Sequence, residues 1–243
     1  GKSNIVSAIP YGKYLYALDN RAHAVRVLDK KTGEQLQTIG RPADTDPEEK
    51  KGLALPINFA FDKDGFMYVA NVGMGNVVKY DRDGNFIGAF GKVGDTSGTF
   101  TRPRGIAIDD EGQIYVADAG FSNVQVFNKD FRLLGVFGMP GLPAGSLNLP
   151  AGVAVTRDNL DYFQQFAAPG FKLEEVIFVA NQFITPINPA ISVYGLGKMA
   201  GMDYTPPKRP APPAKKDAPV EKKDAPVEKK DVPAEQKDVP VAK

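Results

Sequence analysis

The sequence contains no cysteine and no tryptophan, and it has one histidine, His23. Without cysteine, the chain has no disulfide framework, Cys-ligated zinc, haem-attachment motif or thiol nucleophile. A single histidine excludes metal sites built from several histidines, and no Ser-His-Asp triad could be built without it. The sequence also lacks an apolar run of about 18 residues, the length that predicts a transmembrane helix.

Charge is distributed unevenly along the chain, whose net charge is +1. Residues 206–243 carry 9 of the 20 prolines and a net charge of +3, which leaves −2 for residues 1–205. Nucleic-acid binding usually needs a basic face, and a slightly acidic body gives it little support. We therefore expect no nucleic-acid partner.

The C-terminal segment, residues 206–243, is a low-complexity heptad repeat. Lys-Lys-Asp-Ala-Pro-Val-Glu begins at Lys215 and recurs at Lys222, with looser copies after it. A proline in each unit removes a helical hydrogen bond, and no apolar stripe is present that could offset the entropy of ordering. This pattern predicts a tail that is disordered or polyproline-II-like unless a partner orders it.

Residues 1–205 contain a longer repeat. Pro56, Pro103 and Pro150 are 47 residues apart, and each precedes the same series of short apolar strands separated by turns. An earlier copy begins at Ser3. A period of 40–50 residues with four short strands per copy is typical of β-propeller blades. The sequence therefore predicts an all-β propeller.

The third copy carries a family resemblance. Its segments 102–109, 114–118 and 124–127, followed by Phe137-Gly138, resemble an NHL repeat, and the resemblance extends over roughly residues 3–195. It implies a propeller of NHL-type blades, but it implies no single activity, because the family includes lyases, lactonase-like relatives, RNA binders and protein-binding sensor domains. Two family positions differ. The asparagine that the family usually has after the second strand is replaced here by Met74, Phe121 and Ile184. The arginine that usually precedes the third strand is replaced by Ala24, Asn76 and Asn123.

Four copies are visible, and the last lacks a clear fourth strand. Terminal blades of a propeller must have their apolar faces covered. Two arrangements remain open at this point: a tight four-bladed ring that closes on itself, or an incomplete ring that another chain completes.

Apolar residues recur in the loops on one side of the predicted blades. The fourth copy also has an insertion, Arg157 to Glu175, in which apolar residues at helical spacing predict a short amphipathic helix and an aromatic-rich projection. These residues are predicted to bind a protein partner; the alternative is that they pack under their own loops and blade. The predicted partner-binding residues are Met74, Phe121, Phe183, Ile184, Ile187, Phe163, Phe166 and Phe171.

Polar residues end the second strand of every copy: Asp19, Asn71, Asp118 and Asn181. Asp and Asn there are predicted to cap their own loops through backbone hydrogen bonds, the alternative being a ring of ligands around the central channel. The strings 62–65 and 81–84 superficially resemble calcium loops but predict β-hairpin turns. His23 is expected to be a surface residue in a loop.

No catalytic, metal or cofactor-binding residue is predicted. The preferred hypothesis is a non-enzymatic interaction scaffold, an accessory subunit of an envelope or extracellular assembly. Its protein partner would be a chain that completes the propeller, or a surface cytochrome or filament assembly. The cysteine-free composition and an N-terminus at Gly1 that looks processed favour a periplasmic or extracellular location. The alternatives are a metal-dependent lactonase- or lyase-like propeller enzyme, or an RNA-binding NHL module.

Overall fold

The computed structural model describes residues 2–43, 51–141, 145–185 and 189–204. The chain forms two units, Gly1–Met202 and Asp203–Lys243. The heptad repeat and Ile187 lie outside the described residues.

Four antiparallel sheets confirm the predicted all-β propeller blades. The first blade consists of β1 (Ile5–Tyr11), β2 (Tyr14–Asp19), β3 (Ala24–Asp29) and β4 (Gln35–Ile39). The second consists of β5 (Pro56–Phe61), β6 (Met67–Asn71), β7 (Asn76–Tyr80) and β8 (Phe86–Phe90). The third consists of β9 (Pro103–Ile108), β10 (Ile114–Asp118), β11 (Asn123–Phe127) and β12 (Leu133–Phe137). The fourth consists of β13 (Pro150–Thr156), β14 (Phe171–Asn181) and β15 (Ile191–Met199), with the helix α1 (Leu160–Gln164) between its first two strands.

The strands follow one another in sequence order within each blade, and the first strands of neighbouring blades contact each other. Three apolar clusters fill the junctions between the first and second, second and third, and third and fourth blades. None of the clusters in the described part of the chain joins the fourth blade to the first. The first and fourth blades therefore each keep one face outside these cores.

The second strand of a central blade is buried on both faces. In β6, Met67 and Val69 pack in the junction with the first blade, whereas Tyr68 and Ala70 pack in the junction with the third. Because side chains alternate along a strand, a strand sandwiched between two blades must be apolar at every position. This is why the second strands appear in the sequence as continuous apolar runs.

The second strand of the fourth blade begins earlier than the sequence predicts. β14 starts at Phe171 instead of Ile177, because Phe171–Leu173 pair with the last residues of an extended β15. The insertion is therefore shorter than the expected Arg157–Glu175 segment, and Glu175 lies on a strand. The predicted short helix in the insertion is confirmed as α1.

His23 lies in the turn between β2 and β3, where the sequence predicts a surface residue in a loop. It is half-buried with a φ of 53°, and its Nδ1 accepts a hydrogen bond of 3.1 Å from the backbone N–H of Leu55. His23 therefore links the loop of the first blade to the start of the second, a contact between residues that are far apart in the sequence.

Candidate functional site

Each predicted loop-capping side chain lies at the end of the second strand of its blade. Asp118 is fully buried, and its Oδ1 accepts hydrogen bonds from the backbone N–H groups of Arg102, Gly120 and Phe121 at 2.8–3.2 Å. Its Oδ2 accepts one from the N–H of Thr101 at 2.7 Å. One carboxylate thus ties the loop that leads into the blade to the loop that leaves its second strand.

Asp19 has the same arrangement in the first blade. Its Oδ1 accepts hydrogen bonds from the N–H groups of Asn4, Arg21 and Ala22, and its Oδ2 accepts two from the Arg26 guanidinium at 2.8 and 2.9 Å. Burial of Asp19 raises its pKa, but the hydrogen bonds from Asn4, Arg26 and Ala22 outweigh burial and hold the pKa well below its usual range. Asp19 is therefore a carboxylate at neutral pH.

The second and fourth blades use asparagine at the same place. Asn71 Oδ1 accepts from the N–H of Ala54 at 2.7 Å, while its Nδ2 donates to the carbonyl of Gly52 and to Asn76 Oδ1. Asn181 Oδ1 accepts from the N–H of Asn148 at 2.9 Å. An amide suits these blades because acceptors as well as donors surround the side chain.

The Asp-Gly strings are hairpin turns in the structure. Asp62 Oδ1 accepts from the N–H groups of Asp64 and Phe66, and Asp81 Oδ1 accepts from those of Asp83 and Asn85. Within the described ranges, no group of three or more His, Cys, Asp or Glu side chains is arranged to hold a metal ion. None of the described helices is long and apolar enough to span a bilayer.

A buried acid–tyrosine pair lies between the third and fourth blades, where sequence inspection did not predict one. Tyr115 is fully buried, and its hydroxyl lies 2.8 Å from Glu175 Oε2 and 3.3 Å from Asp109 Oδ2. Glu175 is 2% exposed, and Arg157 Nε lies 3.7 Å from its Oε1. Burial is the main cause of a raised Glu175 pKa, and Asp109 raises it further. Burial and the Glu175 hydrogen bond raise the pKa of Tyr115.

We expect Glu175→Gln to increase the stability of the propeller at neutral pH by about 1 kcal/mol. Folding raises the pKa of Glu175, so its neutral form is the one that the folded protein favours. The contribution of Glu175 to stability is therefore fully present below the ordinary glutamate pKa of about 4.3, and it is lost as the pH rises through the pKa of the folded state. Glutamine keeps an acceptor for the Tyr115 hydroxyl but carries no buried charge. The measurement is urea unfolding of both proteins at pH 5 and pH 8, where the difference between them should be larger at pH 8.

The matched control is Glu174→Gln, because the Glu174 side chain is 41% exposed and pairs with Lys198 at 3.1 Å on the surface. Its effect should be small at both pH values. A Glu175→Gln protein that is less stable than the wild type at pH 8 would show that the carboxylate is needed there in its charged form.

The predicted partner-binding residues divide into two sets. Phe163, Phe166 and Phe171 line one pocket of about 490 Å³ beside the fourth blade. The Phe163 ring packs against Phe178 of β14 with 5.6 Å between centroids, whereas Phe166 is 70% exposed. α1 is held to β14 because Gln164 bonds the backbone of Phe171 and Leu173.

The second set lies in corresponding loops of three different blades. Met74 and Phe121 are half-buried there, and Phe183 and Ile184 are exposed after β14. Their partner-binding role stays a prediction.

A second apolar pocket, of about 320 Å³, lies on the other side of β15. It is lined by residues of β12, among them Leu134 and Val136, and by Leu196. Tyr194 and Gly195 of β15 line both pockets. The sequence did not predict these pockets, because each joins segments from different parts of the chain.

A third pocket, of about 200 Å³, lies where the first strands of all four blades meet. It corresponds to the central channel of a propeller. Its lining residues are Val6, Ser7, Ile57, Asn58, Arg104 and Ala151.

Residues 100–127, in the third blade, match the family model described as the NHL repeat. The third blade therefore contains an NHL repeat, within a chain whose blades have the β-propeller fold. No curated protein sequence matches the chain. The NHL repeat that matches contains β9, β10 and β11 with their loop-capping Asp118, so the family resemblance rests on the same residues that build the blade.

Solved structures show the same fold at low sequence identity. One is described as a streptogramin B lyase, with 14% identity and a TM-score of 0.51, covering 80% of this chain and 55% of that one. A second is hydrazine synthase from Kuenenia stuttgartiensis, with 19% identity, a TM-score of 0.52 and coverage of 76% and 43%. A third is a catalytically inactive virginiamycin B lyase from Staphylococcus aureus with quinupristin, with 9% identity, a TM-score of 0.52 and coverage of 80% and 56%. This chain thus spans about half the length of these structures, and the likeness shows the fold alone.

Proposed function

We propose that this NHL-repeat chain is a non-enzymatic protein-interaction module whose fourth blade accepts a β-strand from a protein partner. The observation that carries the proposal is the outer edge of β15. The third strands of the other blades, β3, β7 and β11, each pair on both sides, whereas β15 pairs only with β14 among the described residues. A strand with free N–H and C=O groups along one edge is a template for pairing with another chain.

The two pockets beside β15 support strand addition. Successive side chains of a strand point to opposite faces of its sheet. A strand added along β15 would therefore place alternate side chains in the 490 Å³ pocket on one face and in the 320 Å³ pocket on the other. Backbone pairing with alternate side-chain pockets is the recognised mode of β-strand addition. The partner segment that fits is extended and apolar at both sets of positions.

Exposed apolar side chains along β15 also support the addition of a partner strand. Ile191, Val193 and Leu196 are 49%, 51% and 42% exposed. In the complete blades, the fourth strand supplies apolar residues such as Ile39 and Phe90 to the junction cores. A fourth strand from a partner would cover the fourth blade in the same way.

The broader assignment is an accessory subunit of an envelope or extracellular assembly. A chain that completes the propeller, or a surface cytochrome or filament assembly, would supply the strand. Phe183 and Ile184, both exposed in the loop after β14, would extend the contact. A periplasmic or extracellular location is part of this proposal.

The test is affinity capture by the full-length tagged chain from an extract of the organism that encodes it, followed by reconstitution with the retained protein. We expect one stoichiometric partner and protection of the β15 amides from hydrogen exchange in the complex. The double variant Val193→Lys, Leu196→Lys places a charge on each face of β15. It should weaken binding at least tenfold, or by about 1.4 kcal/mol.

Leu36→Lys is the matched control. Leu36 is 49% exposed on β4, the outermost strand of a complete blade, so the same change there should leave binding unaltered. Equal binding by the double variant, or β15 amides that exchange as fast in the complex as in the free chain, would refute strand addition.

A further inference from the structure

The first strand of every blade contains a one-residue bulge. The pairing between the first and second strands shifts after Ile5, Pro56, Pro103 and Pro150. The residues left out of the pairing are Val6, Ile57, Arg104 and Ala151, and all four line the central pocket. A bulge re-aims the side chain of the extra residue. The repeat therefore brings one residue from each blade to the same pocket.

Arg104 differs from its three counterparts, which are apolar. It is half-buried, and among the described residues its guanidinium makes no hydrogen bond and no ion pair. The described residues that line the pocket include no Asp or Glu. A guanidinium presents five N–H donors in a planar fork and stays charged at every physiological pH. The pocket thus holds a positive charge that the described chain does not neutralise.

Two further polar groups line the pocket. The Ser7 hydroxyl donates to Asn58 Oδ1 at 3.1 Å, and the backbone N–H of Phe59 donates to the same oxygen at 2.8 Å. With its oxygen committed in this way, Asn58 keeps its Nδ2 group as a donor without an acceptor in the described part of the chain. Arg104 and Asn58 therefore both offer donors, and the unpaired donors match an anion.

We propose that the central pocket binds a small aliphatic carboxylate, with the carboxylate on Arg104 and the alkyl part against Val6 and Ala151. A carboxylate accepts two parallel hydrogen bonds from the guanidinium fork. A volume of 200 Å³ corresponds to roughly six water molecules, which suits an acid of about four carbons. This site is independent of strand addition at β15, which lies on a different part of the fourth blade.

The test is a saturation-transfer NMR titration of the full chain with butanoate at low salt, using butanamide as the neutral analogue. Butanoate should bind saturably, with a dissociation constant on the order of 1 mM for so small a ligand. Butanamide should bind at least tenfold more weakly, because it lacks the charge. Inorganic phosphate, added as a competitor, should displace butanoate poorly because it cannot use the apolar wall.

Arg104→Gln should weaken butanoate binding at least tenfold, and Arg104→Lys should weaken it less because it keeps the charge but loses the fork. The matched control is Arg102→Gln, which removes the same charge from an exposed side chain two residues earlier and should not change binding. Undiminished binding by Arg104→Gln, equal binding of butanamide, stronger binding of phosphate, or no saturation by butanoate would each overturn the proposal. Thermal unfolding of Arg104→Gln should match the wild type, since the Arg104 guanidinium makes no hydrogen bond or ion pair within the ranges that the structure describes.

Discussion

Gly105→Ala should destabilise the propeller by about 3 kcal/mol, because the added methyl group would enter the backbone of the neighbouring blade. A Cβ at Gly105 would lie 2.7 Å from Gly152 Cα, 2.8 Å from Gly152 C and 2.8 Å from Val153 N. These are backbone atoms of β13, so no rotamer change can relieve the overlap. The first strands of the third and fourth blades would have to move apart.

The chain provides its own control for this prediction. A Cβ at Gly152, on the other side of the same approach, would meet only Ala180 Cβ at 3.6 Å, an ordinary contact. Gly152→Ala should therefore be neutral or stabilising by about 0.5 kcal/mol, through the lower entropy of the unfolded chain. Urea unfolding followed by circular dichroism measures both, and the melting temperature of Gly105→Ala should fall by roughly 10 °C. If the two variants lose equal stability, the close approach of β9 and β13 is not real.

Asp118→Ala should cost about 4 kcal/mol of unfolding free energy, one of the largest effects of any single substitution in this chain. The substitution leaves four backbone N–H groups, those of Thr101, Arg102, Gly120 and Phe121, without their acceptor. Asp118 is fully buried, so the alanine also leaves a cavity between the two loops. The measurement is again urea unfolding.

Asp118→Asn should fall between the wild type and the alanine variant. Its Oδ1 can still serve Arg102, Gly120 and Phe121, but an amide NH₂ would replace the oxygen that now accepts from the N–H of Thr101. Two donors would then face each other. Asp110→Ala is the control, since Asp110 is exposed and close in sequence. A stability within about 0.5 kcal/mol of the wild type for Asp118→Ala would show that water replaces the carboxylate at no cost.

The blades were predictable because the same pattern of strands and turns recurs in four copies along the sequence. Three of the four copies begin with a proline, and every copy places an apolar second strand and a terminal Asp or Asn in the same order, so weak local signals reinforce one another. The hydrogen bonds of Asp19, Asn71 and Asp118 reach backbone groups within about 20 residues. Because these contacts lie within a single copy, the pattern of residues in that copy is enough to predict them.

The start of β14 was not predictable from the pattern. Lys172, Glu174 and Glu175 interrupt the apolar run, and a charged stretch next to an insertion favours a loop in sequence terms. The segment is nevertheless a strand, because the Glu175 side chain accepts a hydrogen bond from Tyr115 of the third blade, 60 residues earlier in the sequence. Pairing with an extended β15 satisfies the backbone of the remaining residues.

The amino-acid sequence by itself determined the blade repeat, the loop-capping residues and the short helix of the fourth blade, since all of these depend on spacing within a single copy. Only the tertiary structure decided that β15 pairs with β14 alone among the described strands, that two apolar pockets flank it, and that Arg104 lines a central pocket with Asn58. These features arise where segments from different copies meet. Packing between blades, which no local pattern encodes, places them together.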